Sequence, residues 1–372
     1  MKKLAFCALA SLVLAPACSG GADDGIDQQL LTEYRASIPS MDQLSVSTPT
    51  ASQSSAVGDP AIYPASSYDI ATGVNGSIAD IIETMRFVVM QEPTLYNSAT
   101  AEFLWGPYES DDGMGTVAAY IVEAGPLEDF QYHYALLRGT DNDVDGMTPV
   151  IWGGATPNPN NDDHGAGITM WDFEADYQFR TDNGLDTTDV PRGRFIAVYG
   201  KEPGQNGEEV TMAVAAFRNF MPGDDPVAEP VDLDYLYGRV EADGNTLDFL
   251  DWQANLDVDD DPARPAAEDV GVRMAFLNEG VGRAESHAMN GDLDVGQTAI
   301  GVECWDASLN QSYLMFEAST DGNVDFTVSD GDPADCGLFQ DDLTTLGIPA
   351  LEDVPAELTD ALDRAAEFGI PN

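Results

Sequence analysis

Apolar and polar residues alternate at a period of two through most of the chain between Ala101 and Thr320. In one clear segment, Tyr132 and Tyr134 alternate with Gln131 and His133. This period is typical of strands that bury one side of a sheet. Glycine, aspartate, asparagine and proline separate the segments, so the pattern predicts about eleven or twelve strands.

The turns between the predicted strands are short and polar, as in Asp243-Gly244-Asn245 and Asp321-Gly322-Asn323. Such turns join antiparallel neighbours, whereas parallel strands need a crossover of about a dozen residues or more. We therefore expect an antiparallel meander. The apolar residues from Ile168 to Phe179 are predicted to form one long strand of it.

A helical period replaces the alternation in three places. The clearest helix is predicted over Asn75–Met90, with Ser77 as its N-cap and Pro93 ending it. Its apolar residues recur at helical spacing: Ile78, Ile81, Ile82, Met85 and Val89. Shorter helices are expected over Gln28–Ile38, which would dock on the domain, and over Pro355–Phe368.

The first eighteen residues resemble an export signal. Lys2 and Lys3 precede an apolar run, and Ala15-Pro16-Ala17-Cys18 closes it. A cysteine at this place resembles the lipidated first residue of a bacterial lipoprotein. Ala15-Pro16-Ala17 is also an ordinary cleavage site, but Cys18 would then be an unpaired thiol. Cys304 and Cys336 can pair as a disulfide in an oxidising compartment.

The fold class that these patterns predict is mainly β (α+β). We expect a large antiparallel meander that forms a curved sheet or barrel wrapped around one N-terminal helix, followed by a short C-terminal helix. Residues 1–17 are expected to be a signal peptide, residues 18–70 a lipid-anchored polar tether and residues 71–372 a single β-rich domain. The tether prediction depends on the serine- and threonine-rich residues 45–55, which lack the apolar residues of a core.

Acidic residues outnumber basic ones by 66 to 15, which gives a formal net charge of −51. Such a field repels nucleic acids and anionic membrane surfaces, so we expect no nucleic-acid partner. The acidic residues are spread along the whole chain, which favours a solvated exterior over a dedicated cation site.

One acidic motif matches the start of a calcium loop. Asp141, Asp143 and Asp145 alternate before Gly146, and three carboxylates at that spacing can converge on a hard cation. The twelfth position of an EF-hand loop needs glutamate, and here it is Trp152. Calcium binding and a solvated hairpin turn both remain open. No other cofactor is expected.

The sequence offers few groups for catalysis. The three histidines have no zinc-site spacing. His133 is predicted to lie on the sheet surface, and His164 to pair with a neighbouring aspartate. His287 follows Ser286 and could nominally act as its base, but no nucleophile elbow accompanies the pair. We therefore predict no enzymatic activity and no catalytic residues.

The signal, the segment Tyr34–Ser40 and the helix start Val74–Ser77 together resemble bacterial envelope lipoproteins that have no assigned activity. The resemblance implies an exported protein held at the outer membrane by lipid on Cys18. The expected function is a binding or structural role in the envelope. A carrier of a lipid or other hydrophobic ligand inside the curved sheet is the alternative, and a hydrolase is a weaker one.

Overall fold

In the part of the chain that the structure describes, fifteen strands form one antiparallel sheet, and each strand pairs with the next one along the chain. The computed structural model describes residues 26–50, 59–109, 115–123, 129–204, 207–223, 229–257, 264, 266–356, 358–360 and 362. The strands are β1 (Leu95–Asn97), β2 (Glu102–Glu109), β3 (Thr116–Glu123), β4 (Tyr132–Gly139), β5 (Thr148–Asn158), β6 (Asn161–Asp172), β7 (Arg192–Pro203), β8 (Glu209–Met221), β9 (Val231–Ala242), β10 (Asn245–Leu256), β11 (Glu268–Leu277), β12 (Gly282–Met289), β13 (Gln297–Trp305), β14 (Gln311–Thr320) and β15 (Asn323–Gly331).

The meander connections form as predicted. Asp243 and Gly244 between β9 and β10 have φ values of 52° and 81°, and Asp321 and Gly322 between β14 and β15 have 48° and 77°. Two successive positive φ values are those of a type I′ turn, which matches the twist of the strands it joins. The mainly β class is confirmed. The sheet is open, because among the described strands β1 and β15 are not paired with each other.

The α-helices with described bounds are α1 (Gln28–Arg35), α2 (Met41–Leu44), α3 (Ile62–Val89) and α4 (Phe173–Asp182). None of the described helices is both long and apolar enough to cross a membrane. Helix α4 corrects one expectation, because the predicted strand Ile168–Phe179 ends with β6. Asp172 accepts a hydrogen bond from the Ala175 amide (3.0 Å) and so caps a helix where alternation was expected to continue.

Helix α3 starts at Ile62, thirteen residues before the predicted helix start at Asn75. Ser77 lies inside the helix, where its hydroxyl donates to the Gly73 carbonyl (3.2 Å). Serines, Gly73 and Gly76 lower the intrinsic helix propensity of this half, which is why the sequence pattern missed it. Burial of Tyr63, Ala71 and Val74 outweighs this low helix propensity and stabilises the first half of α3.

The sheet is curved around α3, which crosses the strands. The Ile62 amide donates to Glu303 on β13, and the Trp105 indole on β2 donates to the Gln91 carbonyl just beyond the helix. Eleven strand spacings of about 4.8 Å would span about 53 Å if the sheet were flat. The helix is about 42 Å long. Twist of about 20° per strand coils the sheet further, so its concave face encloses α3.

Distant side chains hold both ends of α3. Glu303, which is 0% exposed, accepts hydrogen bonds from the Ile62 and Tyr63 amides (both 2.9 Å), which lie at the positive end of the helix. At the other end, the Arg35 guanidinium donates to the carbonyls of Val89 and Gln91 (2.8 and 2.7 Å). Both contacts satisfy backbone groups that a helix leaves unpaired.

Part of the predicted tether belongs to the folded domain. Residues 26–50 lie on the concave side, where Leu31, Tyr34 and Leu44 are buried in the same core as α3. The side-chain amide of Asn75 accepts a hydrogen bond from the Val46 amide and donates one to the Val46 carbonyl (2.7 Å each). The expected docking of a helix near Gln28–Ile38 is confirmed by α1. Residues 1–25 and 51–58, including the signal and Cys18, lie outside the described residues.

A second apolar core covers the convex face of the sheet. It joins residues of the central strands, including Met170, Ile196 and Phe249, to Phe339 and Leu343 of the chain that follows β15. Within the predicted C-terminal helix, residues 356, 358–360 and 362 are helical, and the rest lies outside the described residues. The central strands are therefore buried on both faces.

Replacing Glu303 by alanine is expected to lower the free energy of unfolding by about 3 kcal/mol, because the Ile62 and Tyr63 amides at the start of α3 would lose a charged acceptor. Glu303→Gln keeps one acceptor oxygen, and we expect about half that loss. Chemical denaturation measures both. The exposed Glu279 provides the matched control, and Glu279→Ala should change stability by less than about 0.5 kcal/mol. Equal effects of E303A and E279A would contradict this role.

Candidate functional site

The acidic loop after β4 is an exposed turn. The Asp143 amide donates to Asp141 Oδ1 (2.9 Å), and the Asp141 carbonyl accepts from the Thr116 hydroxyl. A 3₁₀ turn, Val144–Gly146, follows. Among the described residues, no three acidic, histidine or cysteine side chains are grouped as metal ligands. Asp141, Asp143 and Asp145 are therefore not gathered, and calcium binding there stays a prediction.

His164 lies beside a glutamate of the neighbouring part of the sheet. Its Nε2 lies 3.5 Å from Glu209 Oε2 on β8, and the Lys201 ammonium on β7 lies 2.9 Å from Glu209 Oε1. Hydrogen bonding to Lys201 is the main reason that the pKa of Glu209 is lowered. Strand register brings these three groups together. The side chains of Asp162 and Asp163, the aspartates next to His164, lie outside those that the structure describes, so the expected pairing with them stays a prediction.

Ser286 and His287 project from opposite faces of β12, as consecutive strand residues must. The Ser286 hydroxyl bonds Tyr63 Oη on the concave side (2.5 Å). His287 lies over Gly271 of β11 and is exposed. The pair therefore cannot act as a nucleophile and its base.

The predicted disulfide is confirmed. Cys304 on β13 is bonded to Cys336, which lies 32 residues later, and both are buried. The bond fixes the start of residues 332–356 on the convex face, and we call this stretch the C-terminal strap. In the chain-entropy description a loop of this length stabilises the fold by about 3–4 kcal/mol.

Charged side chains of the convex face hold the backbone of the C-terminal strap. Arg283 donates to the Phe339 carbonyl (3.2 Å), Glu285 accepts from the Leu343 amide (3.0 Å), and Asp251 accepts from the Leu351 amide (2.8 Å). Arg273 bonds the Thr344 hydroxyl (2.9 Å) and the Ile348 carbonyl. These contacts recur from β10 to β12, so the strap lies across the strands, as α3 does on the other face.

Asp251 is the most strongly perturbed carboxyl of this group. Burial raises its pKa from 3.8 to about 6, against the opposing effects of the Leu351 amide and Arg273. A cavity of about 230 Å³ lies nearby, and its lining includes Gln253, Leu351 and Leu362. This volume is below the about 300 Å³ at which pockets begin to hold drug-sized ligands. Asp251 and its neighbours are therefore better suited to holding the C-terminal strap than to binding a ligand.

Several of the few cations in this acidic chain are used inside the fold. Asp176 on α4 is buried between Arg180 (2.9 Å) and Arg138 of β4 (3.3 Å). On the concave face, Asp248 accepts hydrogen bonds from Tyr237 (2.6 Å) and Arg239 (2.8 Å). Buried carboxylates of this kind need such partners, and removing one partner is costly. These clusters support the fold.

The last strand presents the largest exposed apolar feature of the sheet edge. All nine residues of β15 are exposed, including Phe326 and Val328 at 56% and 61%. Val328 lies opposite Phe316 of β14, which is also exposed. We call Phe316, Phe326 and Val328 the edge patch. An apolar, unpaired strand edge is a template for another strand, so this is the candidate interaction site.

The sequence predicted neither the edge patch nor the charged side chains that bind the C-terminal strap. The edge strand had a usable signal, because Val324, Phe326 and Val328 alternate directly after the turn at Asp321-Gly322. The contacts of the C-terminal strap had no local sequence signal, since Asp251 and Leu351 are 100 residues apart. No protein-family model, curated protein or solved structure matches this chain.

Asp251→Asn is expected to change how stability depends on pH. Because the pKa of Asp251 is raised on folding, the folded state binds more protons than the unfolded state between about pH 4 and pH 6. The contribution of Asp251 is therefore most favourable below pH 4 and decreases as the pH rises to 6. Relative to wild type, D251N should gain about 2–3 kcal/mol between pH 4 and pH 7.

Denaturant unfolding at the two pH values measures this difference, and other titrating groups cancel because both variants share them. Asp145→Asn, in an exposed loop, is the control and should show no such gain. A constant difference between wild type and D251N at both pH values would contradict the raised pKa.

Proposed function

We propose that this chain is a lipid-anchored protein of the bacterial cell envelope, held at the outer membrane through Cys18. In this proposal it acts without catalysis, by binding another macromolecule or as part of the envelope structure. The observation that carries the proposal is the concave face, which α3 fills from β2 to β13 with the chain's own apolar side chains.

Two features support export. The first eighteen residues carry the charged, apolar and small-residue parts of a lipoprotein-like signal. The bond between Cys304 and Cys336 is of the kind that persists in oxidising compartments.

The filled concave face weighs against the carrier alternative. A carrier would hold its ligand where the sheet curves, and there Ile78, Ile81, Met85 and Val88 are all at most 1% exposed. Admitting a lipid would require α3 to leave, which would break the contacts of Glu303 with the start of the helix. A rigid, filled domain is better suited to presenting a surface.

The anchor is tested by intact-mass analysis of the mature protein from bacterial membranes. We expect a chain that begins at Cys18 and carries a diacylglyceryl group and an amide-linked acyl chain, because two or more acyl chains anchor stably. Cys18→Ala should lose this mass and leave the membrane fraction. Cys7→Ala, inside the signal, is the matched control and should behave as wild type. An unmodified Cys18 thiol in the wild-type protein would overturn the proposed anchor.

The same purified protein tests the carrier alternative. Organic extraction should release no stoichiometric, non-covalently bound lipid. One lipid released per chain would favour the carrier and would contradict a filled concave face.

A further inference from the structure

The two edges of the sheet differ in a way that bears on assembly. Strand β1 has only three residues, and very short edge strands are one means by which proteins avoid edge pairing. Strand β15 has nine residues, about 30 Å in length. Its sequence from Asn323 to Gly331 contains no lysine or proline, two residues that commonly protect an edge. Asp325 forms a bulge with no counterpart on β14, so the regular part of the edge runs from Phe326 to Gly331.

We propose that β15 pairs with β15 of a second copy of this chain, antiparallel, so that the two sheets become one continuous sheet. This inference goes beyond the proposed function, because the pairing does not depend on the lipid on Cys18. Pairing edge to edge about a twofold axis uses the same strand of both copies. It is therefore a closed dimer and not a growing fibre.

The residues of β15 select a register. A twofold axis perpendicular to the sheet keeps the same face up in both copies, so the numbers of paired residues add to an even sum. With Thr327 opposite Thr327 of the partner subunit, Phe326 faces Val328 of the partner subunit. The axis repeats that contact. Aromatic and β-branched residues form favourable cross-strand pairs, and here two such pairs join the edge patches of both copies.

This register also avoids local charge repulsion. Regular pairing extends over Phe326 to Val328 and ends at the bulge of Asp325, so neither Asp325 nor Asp330 lies opposite a carboxylate of the partner subunit. Asp325 accepts a hydrogen bond from the Thr320 hydroxyl within its own chain (2.7 Å). The net charge of −51 still opposes association at long range. Salt screens that repulsion, so dimerisation should strengthen between 20 mM and 500 mM NaCl.

The interface is small. One strand pair with its flanking side chains falls in the class below about 1,200 Å², which holds weak and reversible complexes. We therefore expect a monomer–dimer equilibrium that is visible at high micromolar protein. Anchoring both copies in one membrane would raise their effective concentration.

Thr327→Cys tests the register directly. The proposed axis places the two introduced thiols on facing strands, where paired Cα atoms are about 4.5–5.5 Å apart and a disulfide can form. Under mild oxidation of the detergent-solubilised full chain, T327C should give a covalent dimer. Ser329→Cys is the matched control, because its nearest counterpart is Asp325 of the partner subunit. S329C and the parent chain should remain largely monomeric.

Sedimentation of the uncrosslinked protein supplies the second test. Val328→Asp should weaken dimerisation at least tenfold, because it places a carboxylate in the joined edge patches. Val295→Asp adds the same charge at a turn residue that is 98% exposed and should leave dimerisation unchanged. Equal melting temperatures of the two variants would show that V328D folds.

Three results would overturn the self-pairing. A monomer at all salt concentrations together with no T327C dimer excludes it. A T327C disulfide to a different envelope protein would assign the edge to another partner. Dimerisation that V328D does not weaken would place the interface elsewhere. Each result is independent of whether Cys18 carries lipid.

Discussion

The packing of one long helix against the inner face of the sheet is the interaction on which the rest of this structure depends. A fifteen-stranded meander has no crossover helices to cover it, so its concave face needs another apolar cover. Helix α3 supplies this cover from β2 to β13. Glu303 and Arg35, which lie far from each other in the sequence, hold its two ends. The curvature of the sheet and the burial of its concave face thus both depend on α3.

The convex face of the sheet is covered in a different way. The C-terminal strap covers the central strands with Phe339, Leu343 and Ile348, and charged residues of the strands bond its backbone. The disulfide at Cys336 joins the start of the strap to β13. Because the strap has little regular structure, its backbone groups need side-chain partners, and Arg273, Arg283 and Glu285 supply them. The acidic surface remains outside these two cores, where its charge favours solubility.

The sequence predicted what depends on local pattern. Period-two alternation predicted the strands, and the short Asp-Gly turns predicted their antiparallel hairpin connections. The cysteine pair was also correct. The sequence did not predict the first half of α3, because Ser77 and the nearby glycines favour a helix start there when tertiary contacts are unknown. Strand β6 was predicted to continue through α4 for a similar reason: the apolar residues after Asp172 fit either period.

The candidate interaction site was only partly accessible to such reasoning. Phe326 and Val328 mark a strand in the sequence, but their exposure depends on β15 being last in the sheet. The partners of Asp251 and His164 depend on strap position and strand register, which no local pattern encodes. The calcium motif stays a prediction. Asp141, Asp143 and Asp145 have the spacing of ligands, and in the structure they form an exposed turn.

Hydrogen exchange of the intact protein tests the central role of α3 most directly. If the sheet depends on this helix, amides throughout Ile62–Val89 should be as protected as those of the central strands β9 and β10. They should then exchange only through global unfolding. The half before Ser77, with its low helix propensity, is the most informative part. Rapid exchange along α3 while β9 and β10 stay protected would show that the sheet stands without the helix, and would contradict the account.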